Sequence, residues 1–279
     1  MENNNSDYIN LIISPHLDDA VISLGGLLAE ESERTKIVTV FAKIPERPLT
    51  RVWDLNCGFR NSTKAMNGRI LENKLALASL GIGEQSIINL PFLDIQYRKP
   101  FFVIPKYLGK KEPNDELIRL ISVEMKKLID IENAKNIKIF IPIAFNEGDH
   151  GMARDAGIET YKNITDSNKK IELYFYQDMP YFYTAYLRKT KKESNKPKEQ
   201  ILVEIKPEKI NCENKVIELT EEEYSKKVEA IKLYKSQFDM MIPDPDHVLL
   251  IRRPGLLSKL QAEIYKTTTP HCEVVYRAL

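Results

Sequence analysis

The chain has 279 residues, 43% of them apolar and 29% charged, with 41 basic against 40 acidic side chains and a formal net charge of +1. That balance gives no chain-wide electrostatic reason to bind nucleic acid or an anionic membrane, and apolar stretches of fewer than ten residues fall far short of the roughly 20 that a spanning helix needs. The polar start MENNNSDYIN lacks the marks of a signal peptide, and three cysteines 60 or more residues apart fit neither a disulfide framework nor a paired zinc spacing, so a reducing cytoplasm is the expected home.

Residues 9–14 (INLIIS) form a continuous apolar run that ends at Pro15-His16-Leu17-Asp18-Asp19 and leads into an apolar-periodic stretch to about residue 34. Strand, loop and helix is the pattern. Residues 36–42 (KIVTVFA) predict a second strand, buried on both faces as in a parallel sheet covered by helices. A helix over 62–80 stops at Gly81, a short strand lies near 86–90, an irregular Pro- and aromatic-rich segment covers 91–105, and a helix covers 114–130. Residues 137–143 (IKIFIPI) and 171–177 (IELYFYQ) continue the strands. Residues 187–197 (LRKTKKESNKP) are basic and aperiodic and read as a solvated loop. A strand at 201–205, a helix over 220–238 with a Thr220 and Glu223 capping box, and a helix around 256–266 complete the pattern. The alternation predicts an α/β, Rossmann-like three-layer fold with a mostly parallel central sheet and ligands at the carboxyl ends of its strands. One domain over 1–279 is expected, its core at about 9–180 and the strand and helices of 200–279 packed on it.

Chemistry concentrates at two strand ends. His16, Asp18 and Asp19 follow the first strand, and Asn146-Glu147-Gly148-Asp149-His150 follows the strand at 137–143. On one reading Asp18 or Asp19 merely caps the next helix while His16 faces solvent. On the other, adjacent strand ends pool ligands: His16, Asp19 and His150 supply the two imidazoles and one carboxylate typical of a catalytic zinc with an open position, and Asp18 beside them is a general base. Gly25-Gly26 lies inside the first helix and forms no dinucleotide fingerprint, which leaves close helix packing as its use.

The run SPHLDDAVISLGG resembles the signature of the PIG-L, or LmbE-like, zinc-dependent N-deacetylases. Further matches follow in order: VFAKIP after the second strand, WDLNCGF at 53–59, LPFLDIQYR at 90–98, DHGMARDA at 149–156, YFYQDMPY at 174–181 and residues 232–237. The resemblance implies hydrolysis of an N-acyl group, usually N-acetyl, from an amino sugar or related small molecule. It places the metal, Zn2+ or alternatively Fe2+, on His16, Asp19 and His150, and the general base on Asp18. It also implies substrate contacts from Arg69 and Asp94, whose plainer uses are a helix-surface charge and a loop cap. Asp178 would orient His150 or Arg154 from behind. One departure stands out: Glu147 occupies the position of a family histidine that assists the transition state, and a carboxylate there repels an oxyanion unless protonated. His247 is the one other histidine that loop folding could bring to that place, and His271 is expected to be inert. The aromatics Tyr174, Phe175, Tyr176, Tyr181, Phe182 and Tyr183 serve either packing or a stacking wall for the substrate. The expected partner is a small-molecule amide, with no nucleic acid and no membrane, and homo-oligomerisation is left open. A non-sugar amide substrate and a silent binding protein that lost turnover with the Glu147 change are the competing readings.

Overall fold

The computed structural model describes residues 8–99, 115–144, 148–164, 168–193, 195, 211–238, 262 and 265–279. Its strands are β1 (Tyr8–Ser14), β2 (Thr35–Thr39), β3 (Ile87–Asn89), β4 (Asn136–Pro142), β5 (Lys170–Tyr176), β6 (Cys212–Glu218) and β7 (Cys272–Ala278). The helices are α1 (Asp19–Glu30), α2 (Val52–Asn56), α3 (Ser62–Ser79), α4 (Ile95–Arg98), α5 (Asp115–Asp130), α6 (Asp149–Asn163), α7 (Tyr181–Lys192), α8 (Glu221–Ile231) and α9 (Lys235–Phe238).

The strands form one seven-stranded sheet in the order β3-β2-β1-β4-β5-β7-β6. The first five are parallel, and β7 runs antiparallel to both β5 and β6. Continuous apolar sequence explains the central strands: Leu11, Ile12, Ile13, Ile37, Val38, Ile137, Ile139 and Ile141 are all buried, which requires cover on both faces. Right-handed crossovers place α1 and α3 on one face and α5 and α6 on the other. Accordingly α1 and α3 both pack on α8, and α5 packs on α6. The connection that leaves β1 runs to β2 on one side, and the one that leaves β4 runs to β5 on the other. The carboxyl ends of β1 and β4 therefore flank the crevice where open α/β sheets bind ligands.

Three sequence expectations need correction. The helix expected to about residue 34 ends at Glu30, with a 3-10 turn over Ser32–Arg34. The basic stretch expected as a loop is helical as far as Lys192, where α7 ends. Helix propensity of its Leu, Arg and Lys, together with burial of Phe182, Tyr183 and Tyr186 on its first turns, outweighs the missing periodicity. The helix expected over 220–238 is two helices, α8 and α9, although the Thr220–Glu223 capping box forms as expected. Gly81 does stop α3, in the left-handed conformation at φ 88°. The strand expected at 201–205 lies outside the described residues, as does most of the helix around 256–266.

The sequence pattern does not announce the β6–β7 pairing, and one side chain shows why. Glu273 is fully buried in β7, where a reader of sequence expects an apolar residue. Its carboxylate accepts hydrogen bonds from the amides of Gly26 (2.8 Å) and Leu27 (2.9 Å) and pairs with Lys227 Nζ at 2.6 Å. Helix α1 is broken just before, at Leu24 (φ −125°, ψ 21°), so the carboxylate supplies an acceptor where the helix has been interrupted. The glycine pair makes this approach possible. A Cβ on Gly26 would come within 2.4 Å of the Leu219 side chain, and one on Gly25 within 2.7 Å of Lys227. Replacing one member of a buried, hydrogen-bonded ion pair leaves the other charge uncompensated. Glu273→Ala is therefore expected to lower unfolding free energy by about 3 kcal/mol in urea denaturation, and a loss within about 0.5 kcal/mol would contradict that role for Glu273.

Candidate metal centre

The site starts where β1 ends. Ser14 Oγ donates to the carbonyl of His16 (2.6 Å) and accepts from the amide of Ala20 (3.1 Å), closing the loop that carries His16, Asp18 and Asp19. Asp18 occupies the N-cap position of α1 yet makes no capping hydrogen bond. Asp18 and Asp19 are 8% and 4% exposed, and His16 is half-buried. The plain helix-cap reading of Asp18 therefore fails, and so does a solvent-facing His16. Asp19 Oδ2 accepts from the His16 amide at 2.8 Å, which fixes the carboxylate against the loop.

From the other side of the crevice, α6 begins at Asp149 and delivers His150, 3% exposed. His150 Nδ1 lies 2.8 Å from Asp178 Oδ2, while its Nε2 is buried, has no hydrogen-bond partner and lies 3.6 Å from Asp19 Oδ2. His16 Nδ1 lies 3.3 Å from the same Asp19 oxygen. The three ligand-type atoms of His16, Asp19 and His150 fall within 4.8 Å of one another. A buried imidazole nitrogen without a partner is costly unless something occupies the place it faces, and two imidazoles with one carboxylate are the donor set a divalent metal takes. The residues present fit such an ion.

Around this triad the other sequence candidates sort differently. Arg69 is 6% exposed and is committed to the buried Asp54 of α2 (3.1 Å) and to Cys57 Sγ (3.6 Å), with Tyr97 Oη also donating to Asp54 at 2.9 Å. It is therefore neither a surface charge nor an isolated guanidinium, although its charge still acts on Asp18. Asp94 does cap a helix, accepting from the Gln96 amide at 2.9 Å, and also stands 4.0 Å from His16 Nε2. Asp178 backs His150 and leaves Arg154 alone, since Arg154 bonds Asp155 and the carbonyl of Ala144. Phe175, Tyr176, Phe182 and Tyr183 are fully buried core residues, and Tyr174 stacks on Phe140. Tyr181 of that aromatic group meets the triad, edge-on to His150 with ring centres 4.7 Å apart. His271, just before β7, stacks on Tyr224. Glu147 and His247 lie outside the described residues.

Sequence reasoning missed Asp149 and Arg98. Asp149 Oδ2 lies 3.1 Å from His16 Nε2 and accepts from the Ile95 amide at 2.9 Å, and its Oδ1 meets Arg98 at 2.6 Å. Both residues stand in matched runs of sequence, but nothing in either run says that they face each other or His16.

Charge in the metal-free site is strongly coupled. Burial, reinforced by the neighbouring Asp19 charge, pushes the Asp18 carboxyl up to about 6. Burial also pushes Asp19 up, but the charge of His150 and the hydrogen bond and charge of His16 more than offset it and bring Asp19 down to about 2. Burial pushes both histidines down, and their aspartates more than offset it: Asp149 and Asp19 raise His16 well above the usual range, and Asp19 and Asp178 raise His150.

No known family model matches the chain, and no curated protein does. Solved structures do share its fold. Teicoplanin deacetylase Orf2, in a zinc-inhibited form, superposes with a TM-score of 0.71 at 21% identity, covering 97% of each chain. N,N'-diacetylchitobiose deacetylase from Pyrococcus horikoshii, bound to an inhibitor, gives 0.57 at 15% identity over 98% of this chain and 84% of that one. GalB, the 4-carboxy-2-hydroxymuconate hydratase of Pseudomonas putida, gives 0.54 at 16% over 98% and 96%. At such identities the likeness concerns the fold, and the fold supports more than one reaction. Among the described residues no helix is long and apolar enough to cross a membrane.

Asp18 carries a stability signature. Between its unfolded value near 4 and its folded value of about 6, the folded chain holds a proton that the unfolded chain has lost, so its contribution to stability falls as pH rises through that window. Asp18→Asn removes this penalty. In chelator-treated protein the variant should melt above the wild type at pH 7.5 and level with it at pH 4, and an equal difference at both pH values would contradict the assignment.

Proposed function

We propose that the chain is a metal-dependent N-deacetylase of the PIG-L or LmbE-like kind. The observation that carries this reading is the unpartnered, buried His150 Nε2 facing the same Asp19 oxygen as His16 Nδ1, with the buried Asp18 carboxyl next in sequence. A divalent ion held by His16, Asp19 and His150, zinc first and iron(II) second, would polarise an amide carbonyl and lower the pKa of water at the open position. Asp18 takes the proton from the attacking water and returns it to the departing amine, a role suited to a buried carboxyl that makes no capping hydrogen bond. Asp178 keeps the His150 ring in one orientation. Asp94, at the edge of the cluster, hydrogen-bonds a substrate hydroxyl, while Arg69 acts through its charge on Asp18 and its pairing with Asp54. Glu147 stands where the family carries a histidine that assists the transition state near the oxyanion, and it joins Asp18 as a catalytic candidate if its carboxyl is held protonated.

The substrate class that fits is an N-acetylated amino sugar or a close relative. The deacetylase activities of teicoplanin deacetylase and diacetylchitobiose deacetylase support deacylation, and the near-neutral chain agrees with an uncharged or weakly charged ligand chosen by a local pocket. Its three free cysteines suit the reducing cytoplasm.

Zinc-loaded protein is expected to release acetate from N,N'-diacetylchitobiose or another N-acetylglucosaminide. Asp19→Ala should lose both bound metal and turnover, whereas Asp18→Asn should keep the metal and lose about 10²–10⁴-fold in kcat. Acetate release from acyl-peptide or acyl-polyamine amides alone would move the substrate class, and no hydrolysis of any amide by metal-loaded protein would overturn the reading.

A further inference from the structure

The second cluster of ligand-type atoms is the informative one. His16, Asp94 and Asp149 also place one oxygen or nitrogen each within 4.8 Å of one another. A second cation there would have to compete with bonds already made. Asp149 is 3% exposed, and both its oxygens are in use: Oδ1 by Arg98 at 2.6 Å, Oδ2 by the Ile95 amide at 2.9 Å and by His16 Nε2 at 3.1 Å. The guanidinium supplies the positive charge that a metal would otherwise bring. Asp149 is built as a hydrogen-bond partner, and its object is His16.

We propose that Asp149 is a positioning residue of the metal centre and that Arg98 sets it, so that residues 93–98 and the ligand His16 move as one unit. This rests on the reading that His16, Asp19 and His150 hold a metal. An imidazole that donates Nε2–H to a carboxylate keeps its lone pair on Nδ1, and Nδ1 is the atom of His16 that faces Asp19. Asp178 does the converse for His150, engaging Nδ1 and leaving Nε2 for the ion. The two imidazoles thus approach through different nitrogens, each selected by its own aspartate.

Arg98 ties this arrangement to the rim of the site. Besides Asp149 it donates to the carbonyl of Leu93, and its guanidinium lies 5.0 Å from the centre of the Phe41 ring, which in turn sits 6.1 Å from the His16 ring. Helix α4, capped by Asp94, is held at one end by the Ile95 amide on Asp149 and at the other by Arg98 on the same carboxylate. A substrate hydroxyl that pulls on Asp94 therefore pulls on the segment that orients a metal ligand, and metal binding in turn orders that segment.

Zinc affinity measured by competition with a chromophoric chelator tests this without reference to turnover. Asp149→Ala should weaken zinc binding about 10–100-fold, with Asp149→Asn intermediate. Arg98→Met should weaken it in the same direction, Arg98→Lys should recover part of the loss, and Arg98→Met in the Asp149→Ala background should add little, since both act on one bond network. Melting curves in chelator identify any variant that fails to fold, and the two Arg98 variants keep the test available if Asp149→Ala does. Wild-type affinity in both Asp149→Ala and Arg98→Met, or losses that simply add, would overturn the coupling while leaving the metal site standing. Absence of zinc binding by the wild type would overturn both.

Discussion

Four aspartates, Asp18, Asp19, Asp149 and Asp178, are buried around two imidazoles at the carboxyl ends of β1 and β4. Everything else at this end of the molecule answers the cost of that arrangement. Buried carboxylates persist when they are paired or hydrogen-bonded: Asp149 meets Arg98, Asp178 meets His150, and Asp19 meets the His16 amide. Asp19 has two imidazoles but no permanent cation, and Asp18 has a backbone hydrogen bond and the more distant charges of His16 and Arg69. With both imidazoles neutral, as ligands must be, a divalent ion is the natural counter-charge for this pair. The same shortage of positive charge raises the Asp18 carboxyl in the metal-free site.

The sheet makes this crowding possible. Parallel strands covered on both faces turn their carboxyl ends toward one crevice, and the switch in direction at β1 opens it between β1 and β4. The antiparallel β6–β7 pair serves a different purpose. Through Glu273 it grips α1 just beyond the break at Leu24, and α1 is the helix whose first residue is Asp19. A buried ion pair far along the chain thus helps to hold the helix that starts at the site.

What was legible in the sequence was local. INLIIS, KIVTVFA, IKIFIPI and IELYFYQ announce buried strands because burial on both faces demands unbroken apolar runs. His16, Asp19 and His150 were legible because three polar groups at strand ends need a reason. What was not legible depends on partners distant in sequence. Glu273 looks like a residue that should stop a buried strand until Gly26, Leu27 and Lys227 are seen around it. Arg69 looks like a helix-surface charge until Asp54 is found beneath it, and Asp149 gains meaning only from Arg98 and His16, 51 and 133 positions away. In the sequence Asp94 fits both a cap and a site carboxylate, and its position serves both.

The central claim is that one divalent ion sits between His16, Asp19 and His150. X-ray absorption at the zinc edge, on protein loaded with one equivalent of zinc, tests it most directly. Two imidazole nitrogens and an otherwise all-oxygen shell, with one imidazole lost in His150→Ala, is the predicted result. A sulfur shell, or a ligand set that His150→Ala leaves unchanged, would contradict it.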